Sequence, residues 1–135
     1  QDRICFYRGY DTGFAAKVYA ASDFFVIPSR FEPCGLTDFI AQLYGSVPIV
    51  HHVGGLVKVI DGVTGLAYGE GSAMALTGAI ERAILLYNDK KKLRKIRKQA
   101  VDNISKNDTW GRVGKKYLEL YQRAKDQRKI KGDIR

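Results

Sequence analysis

The stretch that decides the fold lies between residues 24 and 44, and its centre reads Phe24-Phe25-Val26-Ile27-Pro28-Ser29-Arg30-Phe31-Glu32-Pro33-Cys34-Gly35-Leu36-Thr37. The apolar run at its start is typical of a strand covered on both faces in a parallel sheet. Each of the two prolines fixes one φ angle, which favours a loop of defined conformation. The spacing of apolar residues after Gly35 predicts a helix to about Tyr44. The pattern therefore places a carboxylate, Glu32, at the carboxyl edge of a sheet, where open α/β sheets bind ligands.

Short apolar runs and amphipathic segments alternate on both sides of this stretch. We expect strands at 4–9, 24–27, 48–51 and 65–68, with helices at 11–22, 35–44 and 56–60 between them. Alternation of strands and helices with short connections indicates βαβ units and a parallel sheet. The predicted fold class is therefore α/β, a Rossmann-like parallel sheet with flanking helices.

The remainder of the chain is predicted to be helical. Apolar residues at spacings of three and four indicate helices at about 72–88, 90–104 and 109–125. We expect one domain over residues 1–135, made of a βα core at about 1–71, a helical part at 72–127 and a frayed polar tail at 128–135. The chain opens almost at once on a predicted strand, which suggests a piece of something longer.

Composition restricts the class of protein. The 135 residues are 45% hydrophobic, enough for one core. No run of about 18 apolar residues is present, so we expect no transmembrane span and no membrane partner. The two cysteines are too few for a disulfide scaffold, which favours a reducing compartment.

The net charge of +9 is concentrated in the helical part. Residues 1–89 have a balance of −3 and residues 90–135 a balance of +12. The run Lys90–Lys98 holds seven basic residues in nine, with apolar residues only at Leu93 and Ile96. This pattern favours the solvated face of an amphipathic helix. Polyanion binding is the alternative, but without interleaved aromatic residues we expect no nucleic-acid partner.

Glu32 and the glycine pair at positions 54 and 55 each allow two interpretations. Glu32 is either a surface or helix-capping carboxylate, or a hydrogen-bond acceptor aimed into a cleft. A helix starting beside it also favours anionic groups such as phosphate. Gly54-Gly55 is either a plain tight turn or a turn in which the missing Cβ lets the backbone approach a ligand closely.

The other candidate groups do not indicate a further chemistry. His51 and His52 are adjacent on a predicted strand and therefore point to opposite faces, and no Cys, Asp or Glu cluster completes a metal site. Cys34 is interpreted as a small residue in the turn, whose backbone N–H matters more than its sulfur. The G-x-S-x-G, G-x-G-x-x-G and P-loop patterns are absent.

The string from Ser22 to Thr37 closely resembles the bacterial glycogen synthase and plant starch synthase family. The match continues through four further segments, Tyr44–Val50, Gly54–Leu56, Asp61–Gly65 and Asp108–Trp110. The resemblance implies a retaining glycosyltransferase with two facing Rossmann-like domains, the GT-B architecture. This chain is then most of the second, donor-binding domain, followed by carboxyl-terminal helices. It also implies a cytoplasmic location in a bacterium, or a plastid location in a plant.

The resemblance assigns roles to individual residues. Glu32 is expected to act in catalysis by accepting hydrogen bonds from the donor glucose, and Tyr10 to stack on the adenine. The remaining donor-binding residues are expected to be Arg30, Cys34, Gly35, Leu36, Thr37, Gly54 and Gly55. Among them, the N–H groups at 34–36 face the sugar hydroxyls and the diphosphate, and Thr37 lies near the distal phosphate. No metal and no cofactor is implied beyond the donor substrate, ADP-glucose.

The resemblance implies transfer of glucose from a nucleotide-linked donor, and it favours ADP-glucose over UDP-glucose, to the non-reducing end of an α-1,4-glucan with retention. The family's diphosphate-clamping residues and amino-terminal domain lie upstream of residue 1, so the chain alone is expected to be inactive. A non-catalytic nucleotide- or glucan-binding module is the alternative. Two residues depart from the family pattern: Val53 replaces a threonine, and Lys58 stands near a usually acidic position.

Overall fold

The computed structural model describes residues 3–132. Its strands are β1 (Phe24–Ile27), β2 (Val47–His51) and β3 (Leu66–Tyr68). Its helices are α1 (Thr12–Ala21), α2 (Leu36–Leu43), α3 (Ala73–Asn88), α4 (Lys90–Asn107) and α5 (Trp110–Gly132), and a 3₁₀ turn covers Gly54–Lys58. The helix predicted at 56–60 is instead a 3₁₀ turn, which begins two residues earlier and is more tightly wound than an α-helix.

The three strands form a parallel sheet in the order β1-β2-β3. Each crossover between neighbouring strands carries helical structure, α2 in the first and the 3₁₀ turn in the second. Parallel strands require such crossover connections. The predicted α/β class with a parallel sheet and flanking helices is confirmed.

The strand predicted at 4–9 is wrong, because the structure gives these residues no regular secondary structure. Ile4 and Phe6 are 92% and 87% exposed. Strand conformation is stabilised by a neighbouring ladder of hydrogen bonds, and within the described residues the sheet ends at β1 without reaching this segment. The expectation that β1 is covered on both faces holds only in part, since Val26 is 42% exposed.

The core lies on both faces of β2, because successive side chains of a strand point to opposite sides. On one face Val47 and Ile49 pack with buried residues of β3, α3 and α4. On the other face Val50 packs with Ile27, Leu56 and Val59. Packing on both faces therefore fixes β2 in place. Because β1 and β2 are parallel, the loops that follow them both begin at the carboxyl edge of the sheet.

The contacts divide the chain into two compact units, at residues 1–101 and 102–135. In the second unit the Arg112 guanidinium donates to the Lys106 carbonyl at 3.3 Å, and the rings of Tyr117 and Tyr121 lie 6.2 Å apart. The tail predicted at 128–135 falls partly outside the described residues. Among the described helices, none has the length and apolarity needed to span a membrane.

Candidate functional site

Residues 28–35, here called the carboxylate loop, connect the end of β1 to the start of α2. Within the loop, Glu32 accepts two hydrogen bonds, at 3.3 Å from the Ser29 hydroxyl and at 3.1 Å from the Gly35 N–H. His51 at the end of β2 holds the loop from the sheet side, since its Nδ1 lies 2.7 Å from the Ser29 carbonyl oxygen. The half-buried carboxylate is therefore fixed at the carboxyl edge of the sheet, as predicted from the sequence.

The two glycines of the 3₁₀ turn, Gly54 and Gly55, lie directly against the carboxylate loop. The Gly55 N–H donates to the Glu32 carbonyl oxygen at 2.7 Å. A Cβ on Gly54 would overlap that oxygen, and one on Gly55 would overlap the Cys34 carbonyl. Gly54 also has φ +52°, which favours glycine. The missing Cβ atoms thus let two loops of the protein approach each other, whether or not a ligand lies nearby.

Helix α2 begins in the carboxylate loop. Gly35 is its N-cap residue, with φ +70° and no side-chain cap, and its N–H is the one that Glu32 accepts. Cys34 is exposed and free, Leu36 is 68% exposed and Thr37 is half-buried. The N–H groups expected to bind the donor therefore lie at one helix start, and the Gly35 N–H is already engaged by Glu32.

Lys58 and Asp38 form a contact that the sequence analysis did not predict. The Lys58 Nζ lies 3.1 Å from Asp38 Oδ1 and 4.3 Å from the centre of the Phe39 ring. Asp38 is fully buried in the first turn of α2, where a carboxylate is also favoured by the helix dipole. Burial raises the pKa of Asp38, and the hydrogen bond and positive charge of Lys58 offset only part of that rise. The one available signal was Lys58 itself, which departs from the family pattern near a usually acidic position.

Tyr10 lies on an apolar cavity of about 590 Å³ between the segment before α1, α1 itself and α2. The aromatic residues of its lining are Tyr7, Tyr10, Phe14, Tyr19 and Tyr44. The Tyr10 side chain is 95% exposed, so its ring is available for stacking. The lining, within residues 3–132, includes none of the carboxylate loop. The structure therefore does not place Tyr10 and Glu32 in one cavity.

Arg30 is exposed and lines a smaller cavity of about 130 Å³ beside His51 and Tyr68. The rings of His51 and Tyr68 are stacked at 5.5 Å, and burial raises the pKa of Tyr68. His52 Nε2 lies 3.1 Å from the carbonyl oxygen of Val57. Each histidine thus contacts a separate backbone carbonyl. Within residues 3–132 no three His, Cys, Asp or Glu side chains gather in a way that could hold a metal ion.

These groups offer both hydrogen-bond acceptors and hydrogen-bond donors to a ligand. A carboxylate is an acceptor-only group with several lone pairs, so Glu32 can accept hydrogen bonds from hydroxyl groups of a ligand in addition to the two that it already accepts. The start of α2 offers backbone N–H groups and a positive dipole end to an anion. A ligand that combines hydroxyl groups with phosphate matches this edge of the sheet.

Comparison with known proteins relates the chain to glycosyl transferases. The family model described as "Glycosyl transferases group 1" matches residues 2–85, more than half of the chain. A glycogen synthase of Thermodesulfovibrio yellowstonii is 40% identical over 121 residues, which is 89% of this chain and 24% of the relative. A glycogen synthase of Lactococcus lactis is 36% identical over 129 residues, which is 90% of this chain and 26% of the relative.

Solved structures show the same similarity. The catalytic domain of starch synthase IV from Arabidopsis thaliana, bound to ADP and acarbose, matches with a TM-score of 0.73 and 35% identity over 85% of this chain and 25% of that one. Sucrose-phosphate synthase from Thermosynechococcus elongatus matches with a TM-score of 0.73 and 30% identity over 93% and 31%. The chain spans about a quarter of the length of the curated relatives that it matches.

Proposed function

The chain belongs to the group 1 glycosyl transferases, and from that premise we propose that it is the donor-binding part of a glycogen or starch synthase. The family expected from residues 22–37 is thus confirmed, and the domain is similar to those of glycogen and starch synthases. The proposed reaction of the whole protein is transfer of glucose from ADP-glucose to the non-reducing end of an α-1,4-glucan, with retention. Its proposed location is the bacterial cytoplasm, or the plastid in a plant.

One observation carries the proposal: the Glu32 carboxylate is fixed beside the start of α2 by the Ser29 hydroxyl and the Gly35 N–H. In the proposed role Glu32 accepts hydrogen bonds from the donor glucose. The backbone N–H groups at 34–36 face the sugar hydroxyls and the diphosphate, and Thr37 lies near the distal phosphate, because a helix start favours an anion. ADP in the matching starch synthase structure supports adenine as the base that stacks on Tyr10.

The proposed chemistry rests on positioning and on stabilisation of the leaving group. The bond between glucose C1 and the ADP diphosphate breaks, a bond from C1 to the acceptor hydroxyl oxygen forms on the same face, and the diphosphate takes the acceptor's proton. Placing the two reactants and stabilising the charge that develops on the diphosphate are then the main contributions of the protein. We propose that an upstream domain supplies the acceptor side and that this chain alone is inactive.

Calorimetric titration with ADP tests the donor site. We expect the chain to bind ADP weakly, and the Tyr10→Ala variant to bind about tenfold more weakly, because loss of an aromatic ring that stacks on a base costs about 1–3 kcal/mol. Tyr117→Ala is the matched control, since Tyr117 is an exposed tyrosine of the second unit. Equal affinities for the Tyr10→Ala variant and the unchanged chain would contradict the stacking role.

A non-catalytic nucleotide- or glucan-binding module is the rival function. A glucan-synthesis assay of the native protein distinguishes the two functions. An enzyme extends α-1,4-glucan from ADP-glucose, whereas a binding module binds ADP or glucan without any transfer.

A further inference from the structure

Lys58 lies where the carboxylate loop meets the 3₁₀ turn. Its Nζ donates to three backbone carbonyl oxygens, at 2.6 Å to Cys34, 2.5 Å to Gly35 and 2.9 Å to Gly55. An ammonium group has three protons and no acceptor, so these carbonyls engage all of its donors. Lys58 therefore has no proton left for a phosphate, and a direct role in holding the donor does not fit its contacts.

The Lys58 side chain is also held electrostatically. The Asp38 carboxylate is fully buried, and Lys58 is the cation beside it at 3.1 Å. An unpaired charge in such a place is very unfavourable, so each group stabilises the charged form of the other. The Phe39 ring face adds a cation–π contact. These contacts fix the ammonium in one position between the two loops.

Because the peptide unit is planar, fixing a carbonyl group also fixes the direction of the N–H group of the next residue. In a trans peptide unit the C=O and N–H are coplanar and point in opposite directions, and the described residues contain no cis peptide bond. Fixing the Cys34 carbonyl therefore orients the Gly35 N–H, which donates to Glu32 Oε1 at 3.1 Å. Fixing the Gly35 carbonyl in the same way orients the Leu36 N–H at the start of α2.

We propose that Lys58 is a positioning residue for the donor site, joining the carboxylate loop to the glycine turn and setting the directions of the Gly35 and Leu36 N–H groups. Its effect on the donor rests on the proposed function, whereas its effect on the two loops does not. The role is specific to a lysine here, because an acidic side chain at this position could not donate to the three carbonyls.

Hydrogen–deuterium exchange of the native protein without donor, read by mass spectrometry, tests the link between the loops. In Lys58→Met we expect exchange in peptides covering 32–37 and 54–58 to become at least about tenfold faster, because three charge-assisted hydrogen bonds are lost and a single one already accounts for a change of that size. The matched control is Arg82→Met, which removes a cation bonded to Asp61 and to the Ala67 carbonyl. In that control we expect exchange in these two peptides to be unchanged. Equal exchange in the two variants would overturn the proposal.

Steady-state kinetics then separate positioning from general stability. We expect Lys58→Met to raise the KM for ADP-glucose about tenfold and to leave the KM for glucan unchanged, whereas Arg82→Met leaves both unchanged. Faster exchange with an unchanged donor KM would overturn the positioning role.

Two further outcomes are distinguishable. If Lys58→Met does not fold, Lys58→Gln, which keeps two N–H donors without the charge, is expected to show the same pattern at about threefold. If the unchanged protein transfers no glucose, the proposed function fails and the donor role of Lys58 fails with it, while the exchange comparison still decides whether Lys58 joins the loops.

Discussion

Glu32 has two different kinds of contact, and they separate its structural from its functional role. Its carboxylate accepts from Ser29 and Gly35, and its backbone carbonyl accepts from Gly55. The sequence left open whether this carboxylate caps a helix or faces a cleft. The bond to Gly35 satisfies an N–H at a helix start, as a cap does, while leaving acceptor capacity on both oxygens. One carboxylate can therefore hold its own loop and still accept from a ligand.

A substitution of Glu32 tests this division in the native protein. We expect Glu32→Ala to lower kcat about a hundredfold, because one preorganised polar group at the reacting sugar is lost. We expect its free energy of unfolding to fall by only about 1 kcal/mol, the loss of two modest hydrogen bonds at a half-buried site. Glucan synthesis rates and urea unfolding measure the two effects.

Ser29→Ala is the matched control for Glu32→Ala, since it removes one of the carboxylate's partners and keeps the carboxylate. We expect a similar loss of stability with kcat reduced less than tenfold. Parallel losses of activity and stability in both variants would assign Glu32 a structural role alone.

At the scale of elements, the contact between the carboxylate loop and the 3₁₀ turn decides the shape of the site. Gly55 lies close to the Cys34 carbonyl because each loop follows a neighbouring strand of a parallel sheet. Sequence patterns predicted the loops and the edge of the sheet where they meet. They could not predict which backbone atoms approach each other, because that depends on packing between segments more than 20 residues apart.

Adding one methyl group at this contact tests its tightness. We expect Gly55→Ala to lower the free energy of unfolding by about 3 kcal/mol, since the new Cβ would overlap backbone that has no room to move. Gly69→Ala, in a loop with nothing within 4 Å, is expected to change it by less than about 0.5 kcal/mol. Thermal unfolding of both variants is the measurement, and similar melting temperatures would mean that the two loops can separate easily.

At the scale of the whole molecule, the sequence predicted best where local signals and packing agree. Helix α1 covers Thr12–Ala21, close to the helix predicted at 11–22, and the Asp11 carboxylate caps it by accepting from the Phe14 N–H. The segment at 4–9 has strand-like composition, yet a strand also needs a neighbour, which no local pattern supplies. The contact of Lys58 with Asp38 was missed for the same reason, because nothing in the spacing of positions 38 and 58 indicates that they meet.

Two carboxylates give the molecule opposite dependences on pH. Burial raises the pKa of Asp38, so its contribution to stability is present in full below about pH 4 and is lost as the pH rises through the raised value. For Asp61, the Ala67 N–H and the Arg82 guanidinium outweigh burial and lower the pKa. Its contribution is present above about pH 4 and is lost as the pH falls through the lowered value.

Urea unfolding at pH 3 to 7 tests these signs. We expect the unchanged chain to lose stability relative to Asp38→Asn as the pH rises above about 4. Relative to Asp61→Asn, it should instead lose stability only as the pH falls below about 4. Unfolding free energies that keep a constant offset from Asp38→Asn across the range would show that the folded and unfolded chains bind the same number of protons at that residue.

The pairing of Lys58 with a fully buried Asp38 also constrains how this protein can evolve. A change of Lys58 alone to an acidic residue would remove the positive partner of Asp38 and place a second carboxylate beside it. The buried Asp38 carboxylate would then have to take up a proton. Replacing Asp38 first would leave the lysine among carbonyls without its carboxylate. The two positions are therefore epistatic, because a substitution at either one alone leaves the other charged group without its partner.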